Sequence, residues 1–111
     1  MKTITEGHHY TMDSLDGVAK NEIVFVKRFR GQENHPGTTN QEVLRVLLDR
    51  VKFLDKEKPW EGNKKILHHL RMALVLHESR ALERKVEKDE VAPEFIEKCP
   101  KDGHFTLRYK S

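Results

Sequence analysis

From Thr39 to Lys88 the apolar residues of this chain fall at intervals of three and four, interrupted once by the link Pro59-Trp60-Glu61-Gly62-Asn63. Such intervals stack side chains on one face of an α-helix, whose period is about 3.6 residues. Leu44, Leu47, Leu48, Val51 and Leu54 make one stripe, and Ile66, Leu67, Leu70, Ala73, Leu74, His77 and Ala81 make a second. Thr39-Asn40-Gln41-Glu42 reads as a capping box that opens the first helix, and Pro59 stops it after about Lys56. Asn63 suits the N-cap of the next helix. Two apolar stripes on helices joined by so short a link bury each other as an antiparallel hairpin.

The remainder is thinner in signal. His8 to Leu15 alternates in part, and Asn21 to Phe29 is rich in β-formers, so two short strands are expected, with a turn at Asp16-Gly17. Arg30 to Thr39, polar and holding Gly31, Pro36 and Gly37, reads as a loop. After Lys88, Ala92-Pro93 breaks the helix, Glu94 to Lys98 fits a single helical turn, and Phe105 to Tyr109 fits an extended segment. The expected fold is α+β and mainly α: short N-terminal strands followed by an antiparallel two-helix hairpin. It forms one domain over 1–111, with a β-segment at about 7–30, the hairpin at 39–88 and a tail at 89–111.

Met72, Val75, Leu76, Leu82 and Val86 lie off the second stripe, so the second helix carries more apolar surface than one partner helix covers. The β-segment or another copy of the chain can supply the cover. With 111 residues, 35% of them charged and 36% hydrophobic, the core is lean, and a homo-oligomer is expected. No apolar run approaches the roughly 20 residues of a membrane span. The start MKTITEGHHYT lacks a hydrophobic signal core, which points to the cytoplasm. Cys99 is the single cysteine and reads as an ordinary free thiol.

The net charge of +3 is unevenly placed. Basic and acidic residues balance as far as Asn63, whereas Lys64 to Lys88 holds seven basic residues against three acidic ones. Within that surplus, His77, Arg80 and Arg84 continue the core stripe at spacings of three and four, a line of partly enclosed cations that suits phosphate. The plainer reading pairs Arg80 and Arg84 with Glu83, Glu87 or an acidic group of the first helix. Tyr10, Phe25 and Trp60 offer aromatic faces to a nucleobase, although Phe25 by default belongs to the core and Trp60 plugs the hairpin end. His68 and His69 sit about 100° apart on a helix and do not converge with His77 as zinc ligands would, so no metal or cofactor is expected. No phosphate loop, nucleophile elbow or zinc-deaminase pattern occurs, and an enzyme is disfavoured. The balanced first helix and front segment offer little extended basic surface for nucleic acid.

The run GTTNQEVLRVLLDRVKFLDKEKPWEGNKKILHHLRMALVLHESRALERK, with Gly7-His8-His9-Tyr10 and Glu22-Ile23-Val24-Phe25-Val26 before it, resembles the helical-hairpin domain of phage anti-CBASS and anti-Thoeris proteins and their prophage relatives. The similarity covers about Gly7 to Lys85, including the Asp49-Arg50 pair of the first helix and the closing pair Arg80 and Arg84. The resemblance implies oligomeric hairpins that sequester cyclic oligonucleotides or cyclic ADP-ribose isomers between chains, without breaking a bond. On that footing the expected ligand contacts are Tyr10, Trp60, Asn63, His77, Arg80 and Arg84. The chain departs from the pattern at Trp60-Glu61-Gly62-Asn63, where relatives often carry Cys-Arg-Glu-Asn, and at His68, His69 and Arg71. The alternative expectation is a protein-interaction module whose spare apolar face grips a host or phage protein.

Overall fold

A computed structural model describes residues 1–27, 36–87, 96–98, 100 and 105–107. The expected break at Ala92-Pro93, the thiol of Cys99, the extension to Tyr109, the helix end at Lys88, and residues 28–35 of the expected strand and loop lie outside the described residues. The chain forms two compact units, Met1–Asn40 and Gln41–Ser111.

The first unit is an antiparallel sheet in the order β1 (Lys2–Thr5), β2 (His9–Asp13), β3 (Lys20–Val24). Period-two alternation puts Tyr10 between Thr3 and Ile23 on one face. Phe25 joins them there, its ring edge-on to Tyr10 at a centroid distance of 6.1 Å. Gly7 and Gly17 turn the chain at φ values of 76° and 74°, a region that side-chain-bearing residues rarely enter. Ser14 and Asp16 then tie the longer turn, with the Asp16 carboxylate accepting from the Ser14 hydroxyl at 2.6 Å and from the Val18 amide at 3.0 Å. Strand β1 was not among the expected strands, because Lys-Thr-Ile-Thr is too short to show an alternation of its own. Beyond β3, Thr38 exchanges two backbone bonds with Val24 and Val26, each 2.8 Å long. Gly37 permits that approach: a Cβ there would stand 2.5 Å from the backbone of Phe25 and Val26.

The second unit is dominated by α1 (Asn40–Glu57, 18 residues) and α2 (Gly62–Glu87, 26 residues). With α1 starting at Asn40, Thr39 holds the N-cap position, as expected. Two contacts set the pairing. Arg45 meets Glu78, and Asp55 meets Asn63, so chain position rises along α1 as it falls along α2. The same antiparallel register sets Leu48 opposite Leu74, the two buried apolar residues among those described.

The interior is narrower than the sequence stripes imply, and rotated. Leu47, Leu54 and Ile66 sit at its rim and are exposed, and so is His77. Glu78 takes the inward place instead, 5% exposed, because Arg45 reaches across from α1 to pair with it. One of the Glu78 carboxylate oxygens, Oε2, and the Arg71 Nε are buried without hydrogen-bond partners among the described residues. On the off-stripe side Val75, Leu82 and Val86 are half-buried, whereas Met72 and Leu76 are exposed. Ile96–Lys98, expected within a helical turn, is instead strand β4, paired antiparallel with β5 (Phe105–Leu107). A lone helical turn has little intrinsic stability, whereas a β-rich segment a few residues on offers a ladder, and β5 in turn runs beside α2.

Candidate functional site

The tip of the hairpin is built around Asp55, on the inward side of the last helical turns of α1. A carboxylate near a helix C-terminus opposes the helix dipole and needs donors of its own. Asp55 finds two: its Oδ1 accepts from the Asn63 side-chain amide at 2.9 Å and from the Trp60 backbone N–H at 3.1 Å. The Asn63 amide first, and the Trp60 N–H second, hold the Asp55 carboxyl below the usual aspartate value. Asn63 is therefore not the N-cap of α2, which begins at Gly62; it lies inside the first turn and its side chain looks back to α1. Trp60, 64% exposed, lays its indole over Gly62. It covers the surface of the tip and does not plug the interior.

At about 100° per residue, Ile66, Ala73, His77, Arg80 and Arg84 share one side of α2. The expected partial burial of the two arginines is not found within the chain: His77, Arg80 and Arg84 are all exposed. The cause is the rotation that turns Glu78 inward and carries its neighbours out. The expected salt bridges are not found either, since neither Arg80 nor Arg84 has an ion-pair partner among the described residues; the ion pair of α2 there is Glu78 with Arg45. With a rise of about 1.5 Å per residue, Arg80 stands roughly 25 Å along the helix from Asn63. The structure thus brings Trp60 and Asn63 together at one end and the three basic residues together at the other. Tyr10 belongs to the first unit, half-buried against Phe25.

No protein-family model matches the chain, and no curated protein matches it significantly. The chemistry must be read from the residues. Among the described residues no group of three histidine, cysteine or acidic side chains is placed to hold a metal ion. His68 and His69 touch each other edge-on at 5.5 Å on an exposed turn of α2. His9 sits 3.6 Å from Glu22, and the Nδ1 of His8 lies 3.0 Å from the Glu6 carbonyl oxygen. No helix of the described residues is long and apolar enough to cross a membrane.

What the arrangement offers is a pair of guanidiniums one turn apart, without ion-pair partners among the described residues and suited to anionic oxygens, and an exposed flat aromatic ring. Sequence reasoning missed Asp55, Gly62, Arg45 and Glu78. A signal existed for two of them: Asp55 is acidic in a helix's last turns, and Glu78 is a charge spaced four residues from Leu74.

Proposed function

We propose that this chain is a non-enzymatic anti-defence protein, a relative of the phage anti-CBASS and anti-Thoeris hairpins, that sequesters a cyclic nucleotide immune signal in the cytoplasm of an infected bacterium. The observation that carries the reading is the state of Arg80 and Arg84: exposed, on one side of α2, and without carboxylate partners among the described residues. Their side chains leave the helix about 6 Å apart along its axis, a separation suited to two phosphates of one compact ligand. His77 extends the same line by one turn.

Trp60 and Asn63 lie too far along the hairpin to touch that ligand in the same chain. In this reading the site is shared, the tip of one hairpin standing beside the arginine end of another copy, and the chain works as a homo-oligomer. Exposed Val46, Leu47, Phe53, Leu54, Ile66, Met72 and Leu76 supply apolar surface for such association.

The test incubates purified protein with a panel of cyclic oligonucleotides and cyclic ADP-ribose isomers, removes it by filtration, and heats it to recover the ligand intact. Depletion followed by release is expected, and Arg80→Ala with Arg84→Ala should abolish it. No depletion across the panel would sink the reading.

A second reading draws on α1, where Val46 and Phe53 are exposed on the side away from α2 and Leu47 and Leu54 are exposed at the rim. There the chain is a module that grips a host or phage protein, and a stoichiometric protein partner with no small molecule retained would favour it.

A further inference from the structure

We propose that the Trp60 indole is a preset stacking platform for a nucleobase, and that Gly62 and Asp55 are the positioning residues that set it; the proposal rests on the cyclic-nucleotide reading above. A Cβ placed on Gly62 would collide with the six-membered ring of the indole, nearly equidistant from Cη2, Cζ2 and Cζ3. Approach at the ring edge would leave Cζ2 and Cζ3 clearly farther away than Cη2. Near-equal separations mean that Gly62 lies under the ring face. One face of the indole is thus backed by Gly62, and with 64% of the residue exposed the opposite face is open to solvent.

A surface tryptophan ordinarily turns about two side-chain torsions and loses that freedom on binding. Here the backbone that carries the ring is held, and Gly62 lies against one face of the ring. Pro59 restricts the backbone before it, and Asp55 takes its N–H at 3.1 Å. Asn63 completes the clamp by donating to the same Asp55 oxygen, keeping its own carbonyl and second N–H for other partners. An open indole face, backed on its other side by Gly62, takes a planar, electron-poor ring, and every nucleobase presents one.

Trp60 is the only tryptophan, so its fluorescence reads this position alone. Gly62→Ala is the informative variant: the clashing atoms are the movable end of the indole, so the fold accommodates the methyl while the ring is displaced. Trp60 emission is followed in the full chain and in Gly62→Ala and Asp55→Ala as adenosine monophosphate is added to millimolar concentration. Cyclic di-AMP and cyclic ADP-ribose are then tested by fluorescence and by equilibrium dialysis, with circular dichroism monitoring the fold. Adenosine monophosphate should quench the unaltered chain more strongly than either variant. A cyclic probe that dialysis shows retained should quench it too, and should bind about 5- to 150-fold more weakly to Gly62→Ala and Trp60→Ala, the equivalent of the roughly 1–3 kcal/mol of base–aromatic stacking.

Equal quenching of the unaltered chain and Gly62→Ala by adenosine monophosphate overturns the platform. Retention of a cyclic probe with Trp60 emission unmoved also overturns it and leaves sequestration standing. Quenching by adenosine monophosphate as expected, with neither cyclic probe retained, upholds the platform and counts against sequestration of those signals.

Discussion

The two partners of the Arg45–Glu78 pair should respond to mutation with opposite signs. Glu78 is 5% exposed, and one of its carboxylate oxygens has no hydrogen-bond partner among the described residues, a deficit typically worth about 1–3 kcal/mol. Arg45 is better placed, with 39% of its side chain exposed and a second carboxylate, Glu42, 3.2 Å from its other guanidinium nitrogen. Glu78→Leu therefore removes a desolvated charge, fills the space with apolar atoms, and leaves Arg45 with Glu42 and water. The expected outcome is a gain of about 1 kcal/mol. Arg45→Ala instead strands the carboxylate in the hairpin interior. Stranding one partner of a fully buried pair costs about 3–5 kcal/mol, and solvent access on the Arg45 side lowers the expected loss to about 2 kcal/mol. Urea unfolding followed by circular dichroism at one fixed protein concentration would order the midpoints as Glu78→Leu, unaltered chain, Arg45→Ala, with unchanged slopes. Loss of more than about 1 kcal/mol in Glu78→Leu, or none in Arg45→Ala, would refute the view that Glu78 is the strained member of the pair.

Gly37→Ala should cost about 1–3 kcal/mol, since the new Cβ would meet backbone atoms of Phe25 and Val26 at 2.5 Å, and the amides of Thr38 and Val26 should then exchange faster with deuterium. Leu74→Ala, at a fully buried site, should lose about 2–5 kcal/mol in the same urea assay. The tip should come apart in acid. The Asp55 carboxyl is held below its usual value in the folded chain, so its contribution is complete above about pH 4 and is lost as pH falls through the lowered value. Trp60 anisotropy should stay level from pH 7 to about 4 and fall below that, and Asp55→Ala should abolish the transition.

Helix existence and pairing were legible in the sequence because they follow from period and punctuation: the stripes, Thr39 and Pro59 were enough to set α1 against α2. The rotation of α2 was not. Leu67, Leu70 and Leu74 are compatible with either His77 or Glu78 as the next inward residue, and the choice falls to a charge 33 residues away in sequence, on Arg45. The same limit applies to β4, whose partner strand rather than its own composition decides its state. At the tip, Asn63 invited the N-cap assignment on propensity, but α2 starts one residue earlier, at Gly62, and the Asn63 side-chain N–H donates back to Asp55. Trp60 was legible as an aromatic near a helix start, whereas its footing on Gly62 depends on three-dimensional approach.

With Leu48 and Leu74 the buried apolar residues among those described, the hairpin rests on a small core, and that makes its melting point a sensitive detector. A ligand or companion chain present at 100 times its dissociation constant adds about 2.7 kcal/mol, an increment that shifts a domain of this size by several degrees or more. A thermal-shift screen over unlabelled metabolites, repeated across protein dilutions, would therefore register both what the chain holds and whether it holds itself.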